Sequence, residues 1–134
     1  MSFGLHKTLY WTVHQRFMVP LLVGEKTLDF YPCDEPDKEP IPVGNPVMLA
    51  TKEDGMFATA MIGETYEVEL LIGKSNMAVM LVGHVLREQV LDEFARRHGY
   101  FSMADMHAEM LRAHGVKRLA GRSVKLVDVT CQGK

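Results

Sequence analysis

The stretch Gly24-Glu25-Lys26-Thr27-Leu28-Asp29-Phe30-Tyr31 decides how the chain is read. An apolar run, Phe17-Met18-Val19-Pro20-Leu21-Leu22-Val23, leads into it, and a proline-rich segment, residues 32–46, leads out. Glycine takes a left-handed backbone at no steric cost, so Gly24 suits the end of a short helix. From Thr27 to Tyr31 polar and apolar residues alternate, which predicts a strand with Thr27, Asp29 and Tyr31 on one face and Leu28 and Phe30 on the other. An amine, Lys26, and a carboxylate, Asp29, are thereby held beside one turn, within reach of a common ligand.

The rest of the chain supplies elements for one domain. Its 134 residues are 47% hydrophobic and 24% charged, with a formal net charge of -2, values of a globular chain with one core. That balance excludes wholesale wrapping of a nucleic-acid backbone but leaves room for a local basic groove. Two cysteines, Cys33 and Cys131, form no Cys-x-x-Cys pair, so reduced thiols in a cytoplasmic protein are expected rather than a disulfide scaffold or zinc site. Residues 1–10 contain His6 and Lys7 and lack the apolar run of a signal sequence. The apolar residues around 70–85 are interrupted by Gly73, Lys74, Ser75, Asn76 and Gly83, too often to cross a bilayer. No membrane partner is expected.

In chain order, residues 5–13 read as a first strand and residues 14–24 as a turn into a short helix, with Pro20 tolerated in its first turn. Residues 32–46 hold five of the six prolines and read as a surface loop, either a plain connection or a lid over the Lys26 site. Residues 47–50 follow as a strand. Lys52-Glu53-Asp54-Gly55 predicts a hairpin in which Asp-Gly supplies positive φ angles. Residues 57–62 and 66–72 are strand-like, with Gly63-Glu64 as a bend or bulge, and residues 77–82 fit either a strand or a helix start. Residues 86–97 form an amphipathic helix, with Leu86, Val90 and Phe94 on one stripe and Gly99 as its stop. Ser102-Met103-Ala104-Asp105 reads as a capping box opening a second helix that ends at Gly115, with Met106, Met110 and Leu111 inward. Residues 122–129 read as a closing strand. The economical packing is α+β: a twisted sheet of five to six mostly antiparallel strands closed into a small barrel, with a short N-terminal helix and a C-terminal helix pair. One domain spans residues 1–134, with its core at about 8–130. The ten methionines are expected to fill core gaps rather than bind a metal.

The segment from Gly24 to Tyr31 resembles the signature of the ASCH domain, a family of the PUA-like superfamily of RNA-binding barrels. That signature runs glycine, any residue, lysine, two of any kind, glutamate, any residue, arginine. Gly24 and Lys26 match it, Asp29 stands for the glutamate, and Tyr31 replaces the arginine and its bidentate fork. A second similarity lies at residues 94–106, where a helix ends, serine follows, and an acid-methionine step starts the next helix. The resemblance implies a PUA-like barrel whose cleft takes RNA or a modified nucleoside. Arg16 is then expected near the lysine, Lys26 and Arg16 toward phosphate or base oxygens, and Asp29 toward an exocyclic amine.

One subgroup of small ASCH proteins hydrolyses the acetyl amide of acetylcytidine with a lysine, a threonine and a glutamate. Lys26 is retained, Asp29 occupies the threonine position, and His98 most nearly aligns with the glutamate. The resemblance therefore leaves two readings open. In a binding module, the ligand is held by Lys26, Asp29, Arg16, Thr27, Tyr31, Arg97 and Tyr100. In a small hydrolase acting on an acylated nucleoside or RNA, Lys26, Asp29 and His98 carry the chemistry. On spacing alone Lys26 and Asp29 are a structural ion pair, while Arg16 fits equally a place near the lysine or a role capping or solvating the helix. Lys26→Ala is expected to abolish binding or turnover without unfolding the chain. No cofactor is expected. His14, His84, His98, His107 and His114 lack the spacing of a metal site. Arg96, Arg97, His98, Arg112, Lys117, Arg118 and Arg122 form either the basic cluster best suited to phosphate, with Tyr100 and Phe101 available to stack a base, or equally a solvated helix end with core aromatics.

Overall fold

The computed structural model describes residues 8–33, 41–81 and 84–131. The start of the first expected strand and residues 34–40 of the proline-rich segment, on which its suggested role as a lid rests, lie outside the described residues. Two long strands form the frame: β4 (Gly55–Ile72) and β7 (Lys117–Cys131), antiparallel along their length. The free edge of β4 carries β3 (Pro46–Thr51) on its first half and β5 (Met77–Leu81) on its second. β1 (Leu9–Thr12) lies parallel to β3, and the two-residue β6 (His84–Val85) pairs antiparallel with β5. The far edge of β7 carries β2 (Leu28–Pro32).

The expected bulge is present. Between Ile62 and Thr65 the β4 side of the ladder holds an extra residue at Gly63-Glu64. A side chain at Gly63 would meet Val127 Cγ1 at 3.0 Å, so glycine permits the close crossing of the strands. A second bulge, in β7, places Asp128 at φ 52. Aspartate tolerates this left-handed conformation better than most residues. At the β3–β4 hairpin only Gly55 takes a positive φ, 70; Asp54 instead donates its N–H to Thr51 Oγ1 at 3.0 Å. The expectation of positive φ at both positions is thus corrected, because the threonine hydroxyl holds Asp54 in the ordinary half of the map.

A short 3-10 turn (Gln15–Phe17) runs into α1 (Met18–Leu22), which stops before Gly24 at φ 82. α2 (Glu88–Arg97) ends at Gly99, φ 96, and α3 (Met103–His114) starts at Ser102, whose hydroxyl accepts the Asp105 N–H at 3.2 Å. Trp11, Phe17, Leu21, Leu49, Ile62 and Leu126 belong to one core under α1. Val68, Leu70, Val79, Phe94, Met106 and Leu119 belong to a second, under α2 and α3. Among the methionines, Met77, Met106 and Met110 are buried and Met56 and Met61 are exposed.

The fold is therefore mixed α+β, but the sheet does not close into a barrel. β1 spends its backbone pairing on β3 and β2 spends its own on β7, and among the described residues no ladder joins them. Side chains meet across the seam instead: the Trp11 indole N–H donates to Asp29 Oδ2, and the Trp11 and Tyr31 rings lie 5.5 Å apart. A bulky indole standing between the two edges holds them at side-chain distance.

β2 and β7 approach closely at Gly121. A side chain there would enter the van der Waals radius of the Tyr31 carbonyl and come within 2.7 Å of Phe30 Cζ. Gly121→Ala is expected to cost about 3 kcal/mol or more in chemical denaturation, because the obstacle is backbone that cannot rotate away. An unchanged midpoint would refute this close approach.

Candidate functional site

The turn at Gly24 aims Lys26 inward. Its backbone N–H returns to Pro20 O at 3.0 Å, and its side chain is only 1% exposed. The ammonium has three N–H groups and meets three acceptors: Leu28 O at 2.7 Å, the His98 carbonyl oxygen, and Asp29 Oδ1 at 3.0 Å. It also sits 4.3 Å from the centre of the Phe17 ring. Burial lowers the Lys26 pKa from its ordinary value, with nearby Arg16 adding to this, while the Asp29 carboxylate acts against it. Asp29 is occupied on both oxygens, by Lys26 and by Trp11.

His98 caps the end of α2 and is 1% exposed. Its Nδ1 lies 2.8 Å from Phe94 O and its Nε2 2.8 Å from Ser123 Oγ. A carbonyl oxygen only accepts, so this network assigns the proton to Nδ1, and Nε2 accepts from the serine hydroxyl. Burial, reinforced by the Lys26 charge, pushes the His98 pKa down to about 4.

An open cleft of about 520 Å³ lies directly above Lys26. Its floor is Gly99; a side chain added there would come 2.7 Å from Phe17 and 2.8 Å from Lys26 Cδ, so the lysine runs immediately beneath the backbone. Arg16 forms one wall. Its Nη2 lies 2.6 Å from Asp105 Oδ2, and its guanidinium centre lies 5.0 Å from the Tyr100 ring and 5.7 Å from that of Phe101. Asp105 also accepts the Phe101 N–H at 2.9 Å, which fixes the aromatic pair to the start of α3. The Arg16 hydrogen bond holds the Asp105 carboxyl below its usual range. Phe101 is 84% exposed, and Arg96 and Glu25 complete the exposed rim. Burial raises the Tyr100 pKa, so its hydroxyl stays protonated.

The structure thus brings Lys26, Asp29 and the His98 backbone together, but in a buried cluster rather than on the cleft surface. Arg16 and Tyr100 do line the cleft. Thr27 serves through its backbone, donating to Arg97 O and accepting from Leu126 N–H, both at 2.9 Å. Tyr31 lies against Trp11 at the seam. Arg97 faces a different groove and pairs with Glu93 at 3.0 Å. The expected basic cluster is dispersed: Arg112 pairs with Glu109, Arg118 with Glu69, and Arg122 is buried. Sequence reasoning missed Trp11 and Asp105 as partners. The first had a signal, since a buried indole N–H seeks an acceptor; Asp105 was legible only as a helix cap.

Among the described residues no cluster of three or more His, Cys, Asp and Glu side chains is placed to hold a metal, and no helix is long and apolar enough to cross a membrane. No family model, no curated protein and no solved structure matches the chain.

The burial of Lys26 changes what its removal should do. Lys26→Met keeps the bulk but leaves a part-buried carboxylate and two carbonyls without their donor, a loss of about 3–5 kcal/mol measurable by denaturant titration. Stability equal to the parent's would show that the ammonium anchors nothing. The His98 shift predicts a second dependence. Its folded pKa lies below the unfolded value, so the unfolded chain binds the extra proton as pH falls from about 6.5 to about 4. Stability contributed by neutral His98 is complete above that window and decreases through it, by about 3 kcal/mol at most. Melting temperature recorded across the window tests this, with Ser123→Ala as a control that keeps the imidazole.

Proposed function

We propose that this chain is an ASCH-type domain of the PUA-like superfamily, its curled sheet the counterpart of that barrel, and that it binds RNA or a modified nucleoside in the cleft above Lys26. One observation carries the reading: an exposed aromatic ring, Phe101, stands beside the Arg16 guanidinium on the wall of a cleft of about 520 Å³. That volume accommodates one nucleoside. A base stacks on the Phe101 ring, and stacking on an aromatic is worth about 1–3 kcal/mol per base. Arg96 at the rim is placed for a phosphate, and Glu25 for an exocyclic amine. Arg16 is already engaged by Asp105 and acts chiefly as a rigid wall.

In this reading the Gly24 and Lys26 positions of the ASCH-like signature serve recognition indirectly. Lys26 fixes the Gly99 backbone that forms the floor. The hydrolase alternative draws support from the lowered Lys26 pKa, since a neutral amine is the form that accepts a proton. Its difficulty is that all three donor directions of Lys26 are already used within the protein.

Titration of fluorescent single-stranded RNA and of acetylcytidine tests the reading. Phe101→Ala and Arg96→Ala change exposed side chains and are expected each to weaken binding about tenfold or more without altering the melting temperature. Binding unaffected by both variants overturns it. Release of acetate from acetylcytidine by the parent protein would favour the hydrolase instead.

A further inference from the structure

A second groove, of about 460 Å³, lies between α2 and the sheet and shares no lining residue with the cleft. Leu28, Leu86, Val90 and Phe94 give it apolar walls; Arg97 is the only cation among its lining residues, and Ser123 is part of that lining. Ser123 stands on β7 between Phe30 of β2 and Tyr66 of β4. Its hydroxyl meets His98 Nε2 at 2.8 Å, while Phe94 O holds Nδ1 at the same distance.

We infer that Ser123 and His98 form a nucleophile–base pair that accepts an acyl group from an activated ester or thioester whose apolar chain lies in this groove. The geometry is that of a serine activated by a histidine whose orientation and tautomer a third group sets, here a backbone carbonyl. The Nε2 lone pair already faces the hydroxyl proton, so no ring flip is needed. In the transfer step Ser123 Oγ bonds to the acyl carbon, its proton passes to His98 Nε2, and the carbon–oxygen or carbon–sulfur bond to the leaving group breaks. The leaving group departs with that proton. Water then cleaves the acyl-serine by the same route, restoring the hydroxyl and releasing the carboxylic acid.

Two features narrow the substrate. A buried imidazole held neutral down to about pH 4 is always ready to accept a proton but is a weak base. It therefore suits acyl groups with good leaving groups and not ordinary amides. Ser123 is 1% exposed, so the ligand must part the apolar walls to reach it, which favours an acyl chain over a polar substituent. Arg97 is exposed, and its surface ion pair with Glu93 is weak enough to exchange for a developing oxyanion.

The test is incubation with p-nitrophenyl butyrate, followed by intact mass and peptide mapping. A nitrophenolate burst with butyrylation at Ser123 is expected, and Ser123→Ala is expected to lose roughly a hundredfold or more of the burst rate. Ser123→Cys supplies a second readout: labelling of the introduced thiol by iodoacetamide, mapped apart from Cys33 and Cys131, reports access independently of activation. Absence of a Ser123 adduct overturns the inference, as does a burst that survives in Ser123→Ala. An introduced thiol that stays unmodified in the folded Ser123→Cys variant overturns it as well.

Discussion

A single ammonium group, that of Lys26, ties the start of β2 to the end of α2, beside the Thr27–Arg97 backbone bond. Water solvates a lysine well, so its removal from water must be offset by the geometry of what replaces the water. Here the replacement is complete: two backbone carbonyls and a carboxylate take its three protons, and an aromatic face lies against it. One carbonyl belongs to β2, two residues on; the other ends α2, 72 residues away. The cluster thus sets the position of the helix end relative to the sheet, and with it the glycine floor of the cleft. An apolar side chain of equal volume would bury comfortably but would leave those acceptors empty, which is why specificity of arrangement rather than net stability is the use of such a group.

From this anchor the polar order runs outward in shells. Asp29 passes the interaction to Trp11 and so to the seam. His98 lends its carbonyl to Lys26 and its ring to Ser123, linking α2 to β7. Arg16 is near enough for its charge to act on the lysine, yet it is drawn away to Asp105. Two concave surfaces lie on either side of α2. One is polar and aromatic; the other is mainly apolar and includes Ser123 in its lining. The same helix end governs both.

Much of the scaffold was legible because it is local. The alternation at residues 28–31, the stop at Gly99, the cap at Ser102 and the bulge at Gly63 each depend on residues a few positions apart. Long-range pairing hid the rest. The last strand begins at Lys117, five residues before the expected start, because β4 supplies a ladder that the local pattern does not announce. The open seam was equally invisible, since it depends on which edge of β2 faces β1. For the site, sequence placed Lys26 and Asp29 together correctly but could not give the direction of the amine. That direction is fixed by the His98 carbonyl, a partner with no side-chain signature. Arg97 and His98 are adjacent in sequence and both drew attention as cations, yet one is solvent-exposed and the other is a neutral core residue, a division that only the helix phase relative to the sheet decides.

The seam has a spectroscopic consequence. Trp11 is the sole tryptophan of the chain. Its indole is shielded from water, bonded to the carboxylate that also holds the buried ammonium, and set beside a tyrosine ring. All indole emission therefore originates at one junction where β1, β2 and the Lys26 cluster meet. Parting of the two edges would wet that ring and remove its acceptor at once. The molecule thus carries an intrinsic fluorophore whose colour and polarisation follow the integrity of its least securely joined boundary.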